Sequence, residues 1–172
     1  MNLNDDDFTL FGLPGRFAQD AGAIAARWKE LQREAHPDKF AAQGGAAQRL
    51  ALQWSVRINE AYQRLKDPLK RAAYLCELRG AAIEAENNTA MPAAFLMEQM
   101  ELREALDEAH GEAELEELAE RLAASRAAML ARIACLLDED GDAAAAAQQV
   151  RALMFLERFG ADIESRLAQL GQ

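Results

Sequence analysis

His36-Pro37-Asp38-Lys39-Phe40 stands between two amphipathic runs, residues 20–35 and 46–66. Pro37 has no amide hydrogen and disfavours helix at the residue before it, so the first run ends before His36. The stretch therefore opens a loop joining two helices, with an imidazole and a carboxylate directed outward from a bend. Loop residues positioned by a rigid scaffold serve recognition more often than packing. The tripeptide alone is equally compatible with a plain polar helix stop, so its surroundings must decide.

Upstream, Asp20 suits an N-cap, and Ile24, Trp28, Leu31 and Ala35 follow helical spacing, with Arg27, Lys29 and Arg33 off that stripe. Earlier still, Phe8, Leu10, Phe11 and Leu13 form a short apolar segment stopped by Pro14-Gly15. Downstream, Gln43-Gly44-Gly45 closes the loop. Leu50, Trp54, Ile58, Ala61 and Leu65 then line one face of a longer helix, which Asp67-Pro68 stops while starting another. Residues 1–79 read as one compact unit of two long antiparallel helices flanked by short ones. Residues 80–91, centred on Asn87-Asn88-Thr89, read as a linker. Residues 92–172 hold three helical runs, 92–110, 112–137 and 143–170, with Leu115, Leu118, Leu122, Met129, Ile133 and Leu136 at near-heptad spacing. Short connections between long amphipathic helices imply an antiparallel three-helix bundle. The expected fold class is all-α, because alanine, leucine and glutamate dominate while valine and threonine are scarce.

Charge separates the same two modules. Through Arg79 there are 12 basic and 10 acidic side chains; from Gly80 onward there are 7 and 19, and all four lysines lie in the first part. Such a shift suggests different partners for the two halves, and a net charge of −10 argues against a nucleic-acid binder. Cys76 and Cys135 form no Cys-x-x-Cys pair, so neither a zinc knuckle nor a disulfide framework is indicated. The run Ala143 to Ala147 is too short to span a bilayer. Asp5-Asp6-Asp7, with no basic or apolar leader, speaks against secretion or organelle import for this form, and a cytoplasmic location is expected, although a processed form of an imported protein would read the same. A di-metal carboxylate enzyme would need two Glu-x-x-His motifs, whereas Asp107-x-x-His110 occurs once. An EF-hand starting at Asp138 would need glycine and glutamate where Ala143 and Gln149 stand.

The loop between two amphipathic helices, with its basic flank, resembles a J-domain, and the whole chain resembles the HscB type of J-domain co-chaperone. Phe8-Thr9-Leu10-Phe11-Gly12-Leu13-Pro14, the loop with Lys39-Phe40, Asp67-Pro68-Leu69-Lys70-Arg71-Ala72 and Tyr74-Leu75 carry that resemblance. Phe95-Leu96-Met97-Glu98-Gln99-Met100-Glu101-Leu102-Arg103-Glu104, downstream of a J-domain, is the most specific part. The resemblance implies a co-chaperone, not an enzyme. Such a protein stimulates ATP hydrolysis by a seventy-kilodalton heat-shock-class chaperone (HscA type) and brings it the iron–sulfur scaffold protein (IscU type). Some relatives carry an N-terminal pair of Cys-x-x-Cys motifs; this sequence lacks them, so no zinc and no other cofactor is implied.

Two candidate surfaces follow. In the first, Asp38 would accept paired hydrogen bonds from a partner arginine. His36 would hold the loop or donate to the partner, next to Pro37, while Arg27, Lys29, Arg33 and Lys39 steer an acidic chaperone surface. Glu30 and Glu34 lie among these cations, as on an ordinary solvated helix face. In the second, at about 100° per residue, Phe95, Gln99, Leu102, Leu106 and Ala109 share one face of the first tail helix. Leu96, Met97, Met100, Glu101 and Glu104 fall on the other. One core cannot take both faces, and the surplus face is apolar with an acidic margin. On the last helix Leu153, Leu156, Gly160, Ile163, Leu167 and Leu170 make the core stripe, while Phe155 points about 100° away and is expected to be exposed. In the family, the positions of Leu96, Met97, Met100, Glu101, Glu104 and Phe155 bind the scaffold protein; the counterpart of Met100 is often leucine.

Overall fold

A computed structural model describes residues 2–84, 91 and 93–171. It is all-helical, with no strand among the described residues, and it divides into two compact units, Met1–Leu75 and Cys76–Gln172. The centre of the expected linker, Asn87-Asn88-Thr89, lies outside the described residues. No described helix is long and apolar enough to cross a membrane.

The first unit starts with α1 (Asp7–Phe11), capped by the Asp6 carboxylate, which accepts from the Thr9 amide. Gly12 closes the helix in the left-handed conformation (φ 65°), where a side chain would be strained. In α2 (Ala21–Glu34), Asp20 is the N-cap and accepts from the Gly22 amide. A 3₁₀ helix (Pro37–Gln43) leads to α3 (Gly45–Lys66), which ends at Asp67 where α4 (Pro68–Leu78) begins. Trp28 Nε1 donates to Asn59 Oδ1 at 2.9 Å, and Gln32 Nε2 reaches both Asn59 Oδ1 (2.9 Å) and the Ser55 carbonyl (3.2 Å). The Trp28 ring stacks on Tyr62 at 4.6 Å. Moving backward along α2 therefore means moving forward along α3, so the pair is antiparallel. Leu31, Ile58, Ala61 and Leu65 form its buried seam, with Phe8, Leu10, Phe11, Phe17 and Ile24 completing the core.

Asp7 is wholly buried and anchors α1 to α3. Its carboxylate meets Arg57 Nη1 at 2.8 Å and Arg64 Nε at 2.6 Å, and Arg64 Nη2 donates to its second oxygen at 2.9 Å. Its amide donates to the Tyr74 hydroxyl at 2.9 Å. The bond to Asp7 raises the Arg64 pKa despite desolvation, and burial raises that of the Tyr74 phenol. A buried carboxylate is tolerable only with such partners.

The boundary between the units falls within α4. In the second unit Gly80 (φ 84°) follows the end of α4, and Ile83 is already buried, its carbonyl accepting from Arg151 Nη1 at 3.1 Å. The start of the expected linker is thus packed. α5 (Ala93–Glu108), α6 (Glu112–Ala134) and α7 (Ala143–Leu170) form a three-helix bundle. Arg126 pairs with Glu157 at 2.6 Å, and Leu122 lies opposite Gly160, so α6 and α7 are antiparallel. Phe95 meets Phe155, and Arg166 caps the end of α5 through the Leu106 and Ala109 carbonyls, so α5 and α7 are parallel. Leu102, Leu106, Leu115, Leu118, Leu122, Ile133, Leu153, Leu156, Phe159 and Ile163 are buried between them. α6 ends three residues earlier than the periodicity suggests, because Cys135–Glu139 widens into a π turn. Asp142 then caps α7 by accepting from the Ala145 amide at 3.0 Å.

Candidate functional site

Pro37 sits at the first position of the 3₁₀ helix, where its missing amide hydrogen costs no bond. The loop expected from sequence is thus a wound segment of seven residues, long for this helix type. His36 is its N-cap. Nδ1 accepts from the Asp38 amide at 3.2 Å and lies 3.7 Å from Asp38 Oδ2. An imidazole accepting at Nδ1 carries its ring proton on Nε2, which leaves one donor for a partner. The cap thereby fixes the backbone that projects Asp38, whose side chain is 92% exposed. The two side chains differ in their surroundings: His36 is engaged within the turn, and the Asp38 carboxylate is left open.

The basic flank is not uniform. Lys29, Arg33 and Lys39 are exposed. Arg27 is half-buried; its Nε donates to the Phe11 carbonyl at 3.3 Å and its Nη1 pairs with Glu30 at 3.1 Å. Part of its charge is therefore spent within the unit. Sequence reasoning passed over the polar contacts of Trp28 and Gln32 with Asn59 and Ser55, which hold α2 against α3 and so set the direction of both basic face and loop.

On α5 the two faces separate as helix geometry requires. Phe95, Leu102, Leu106 and Ala109 are buried, whereas Leu96, Met97 and Met100 are 44%, 65% and 72% exposed. Glu101 and Glu104 are exposed beside them, and Glu101 makes a long contact, 3.9 Å, to Arg121. Phe155 differs from its expected free exposure. It is half-buried, with its ring edge-on to Phe95 at 6.3 Å and the Arg158 guanidinium 5.8 Å from its centroid. In a three-helix bundle α7 faces two neighbours, so its apolar sector is wider than a single stripe. Leu170 departs in the opposite sense: assigned to the core stripe, it is exposed, because α7 runs on past Arg166, which caps the end of α5. No group of three or more potential metal ligands occurs among the described residues.

Known proteins resemble this chain in sequence and fold. A family model described as the HSCB C-terminal oligomerisation domain matches residues 91–164. A co-chaperone protein HscB homolog of Burkholderia mallei is 49% identical, over 99% of this chain and 98% of that protein. Among solved structures, chaperone HscB from Vibrio cholerae superposes with a TM-score of 0.83 at 36% identity, over 96% of this chain and 99% of that one. Human co-chaperone HscB gives 0.86 at 27% identity, over 99% of this chain and 84% of that one. A J-domain with a capped, outward Asp38, joined to a helical tail and matched along almost its full length at this identity, places the chain in the HscB family of co-chaperones.

Proposed function

We propose that this chain is the adapter in iron–sulfur protein maturation that stimulates the ATPase of an HscA-type chaperone of the seventy-kilodalton heat-shock class and delivers an IscU-type scaffold protein to it, working in the cytoplasm. The observation that carries the reading is the open Asp38 carboxylate on a turn already capped by His36. A guanidinium of the chaperone docks there through paired charge-assisted hydrogen bonds. Lys29, Arg33 and Lys39 accelerate the encounter, with a smaller contribution from Arg27, and Pro37 keeps the turn wound. No residue here does bond chemistry; the hydrolytic site is the chaperone's, and this protein shifts its conformational equilibrium by binding one state more tightly.

The tail supplies the second surface. Leu96, Met97 and Met100, with Glu101 and Glu104 at the margin and Phe155 as a partly buried edge, would cover an apolar patch on the scaffold. The exposure of three large apolar side chains on one face of α5 supports this. The runner-up is a J-domain adapter for a different client, which the same patch would accommodate. The test is single-turnover ATP hydrolysis by the chaperone with this protein alone, the scaffold alone and both. Stimulation by this protein that rises further with the scaffold is expected. Stimulation that is indifferent to the scaffold, together with no binding by calorimetry, would favour the other client.

A further inference from the structure

The loop has a neighbour that neither surface uses. A cavity of about 410 Å³ lies between α2, the 3₁₀ helix and α3. Leu31 and Ala35 line it from α2, Phe40 from the 3₁₀ helix, and Leu50, Ala51 and Trp54 from α3. Its origin is legible in side-chain size. Ala35, Ala47 and Ala51 leave room where α2 has ended, and the 3₁₀ segment arches over the gap. Leu50 is 49% exposed, and Phe40 and Trp54 are half-buried, so apolar surface is held open to water beside an otherwise closed core. The volume is at the small end for ligand pockets, about 300–1,000 Å³. It admits one or two side chains and excludes a helix.

We propose that this cavity receives an apolar side chain, flanked by carboxylates, that the chaperone presents when it engages Asp38. The inference rests on the reading of the loop as the chaperone contact, and two observations select this occupant. The first is continuity: Phe40 and Gln43 of the cavity wall belong to the same short 3₁₀ helix as Pro37 and Asp38. A surface gripping Asp38 is therefore brought to the cavity mouth. The second is charge. Arg33, Lys39 and Arg49 each adjoin a lining residue in sequence (Glu34, Phe40 and Leu50), all three are exposed, and none forms an ion pair among the described residues. Glu34 is the one acidic group of the lining. Three exposed cations, borne on the backbone next to the lining of an apolar hollow, favour a hydrophobic residue set among acidic ones. The carboxylate–arginine contact would then fix orientation, and the cavity would add affinity through desolvation of Leu50, Phe40 and Trp54.

Two variants of the full-length protein test this in the chaperone ATPase assay, beside Asp38→Asn. Ala47→Leu fills the hollow from a half-buried helical position, and Leu50→Ser removes apolar wall at an exposed one. Ala47→Leu is expected to raise the concentration needed for half-maximal stimulation about tenfold, as for one lost side-chain burial. Leu50→Ser is expected to raise it several-fold, and both should melt like the parent protein. If Ala47→Leu melts early, Leu50→Ser decides. Parent-like stimulation by the folded variants, with Asp38→Asn inactive, overturns the cavity proposal and leaves the loop reading standing. Parent-like stimulation by Asp38→Asn overturns the loop reading itself. An apolar fluorescent dye lost on Ala47→Leu with stimulation unchanged would assign the cavity to a small molecule. Sedimentation as a dimer that Leu50→Ser dissociates would assign it to a second copy. Either result overturns the proposal.

Discussion

In the first unit the helices are tied by polar groups: Asp7 between Arg57 and Arg64, and Trp28 and Gln32 reaching across to Asn59 and Ser55. In the second, a long aliphatic and aromatic seam from Leu102 to Ile163 holds three helices, and hydrogen bonds mainly finish their ends. Hydrogen bonds and ion pairs are directional, so they fix angles; hydrocarbon packing is not, and it tolerates surplus. The contrast matches the surfaces each unit offers. The first presents one exposed carboxylate on a capped turn. The second presents an exposed apolar patch of Leu96, Met97 and Met100, the two methionines being flexible.

The strongest challenge to this contrast is Asp7→Ala. It would leave two guanidinium groups around an empty buried site, and breaking such a pair costs about 3–5 kcal/mol. Trp28 and Trp54 both lie in the first unit and are the only tryptophans. Denaturant unfolding followed by tryptophan fluorescence therefore reads that unit alone. A midpoint shift too small for such a loss would mean that the apolar seam of Leu31, Ile58, Ala61 and Leu65 holds the first unit without the Asp7 ion pairs.

On the second unit, Leu96→Ala, Met97→Ala and Met100→Ala combined should weaken scaffold binding by about 100-fold, at roughly 1 kcal/mol each if the effects add. The melting temperature should hardly change, because exposed truncations leave no cavity. Calorimetric titration beside thermal melts checks this; a large fall in melting temperature would mark the patch as core. Phe155→Ala should fall between these behaviours. It removes the edge-on contact to Phe95, about 0.5–1.5 kcal/mol beyond lost burial, so both stability and scaffold affinity should drop. Loss of affinity alone would show that the Phe95 contact contributes nothing.

The smallest effect concerns pH. Burial pushes the Cys76 thiol from 9.0 up to about 11, against the pull of Arg79 and Arg151. The unfolded chain releases this proton first, so its contribution to stability is complete below pH 9 and is lost as pH rises towards 11. Denaturation followed by circular dichroism should show the parent protein losing ground to Cys76→Ala across that interval. Parallel pH profiles for the two proteins would contradict it.

Much of this was readable in advance, and the exceptions have physical causes. The faces of α5 followed from spacing alone, because Phe95, Leu102 and Leu106 recur at helical intervals. Asp20 announced its cap by type and position. Asp7 did not: it is one of three consecutive aspartates, and only the docking of α1 decides which of them is buried. The available signal was Arg57 and Arg64, two turns apart on one face of α3. Leu50 obeys the α3 stripe yet is exposed, because α2 has already ended opposite it and the cavity takes its place. Phe155 and Leu170 were misplaced for a related reason: periodicity shows which residues share a face, while the number and length of neighbouring helices decide how much of that face is covered.

The central claim is that His36 orients the turn while the open Asp38 carboxylate does the recognising. Single-turnover ATP hydrolysis by the chaperone, with the parent protein and Asp38→Asn compared at equal concentration, tests it most directly. The substitution keeps size and shape but removes the charge that a partner arginine requires. Loss of stimulation with an unchanged melting temperature is the predicted result; equal stimulation by the two proteins would contradict the account.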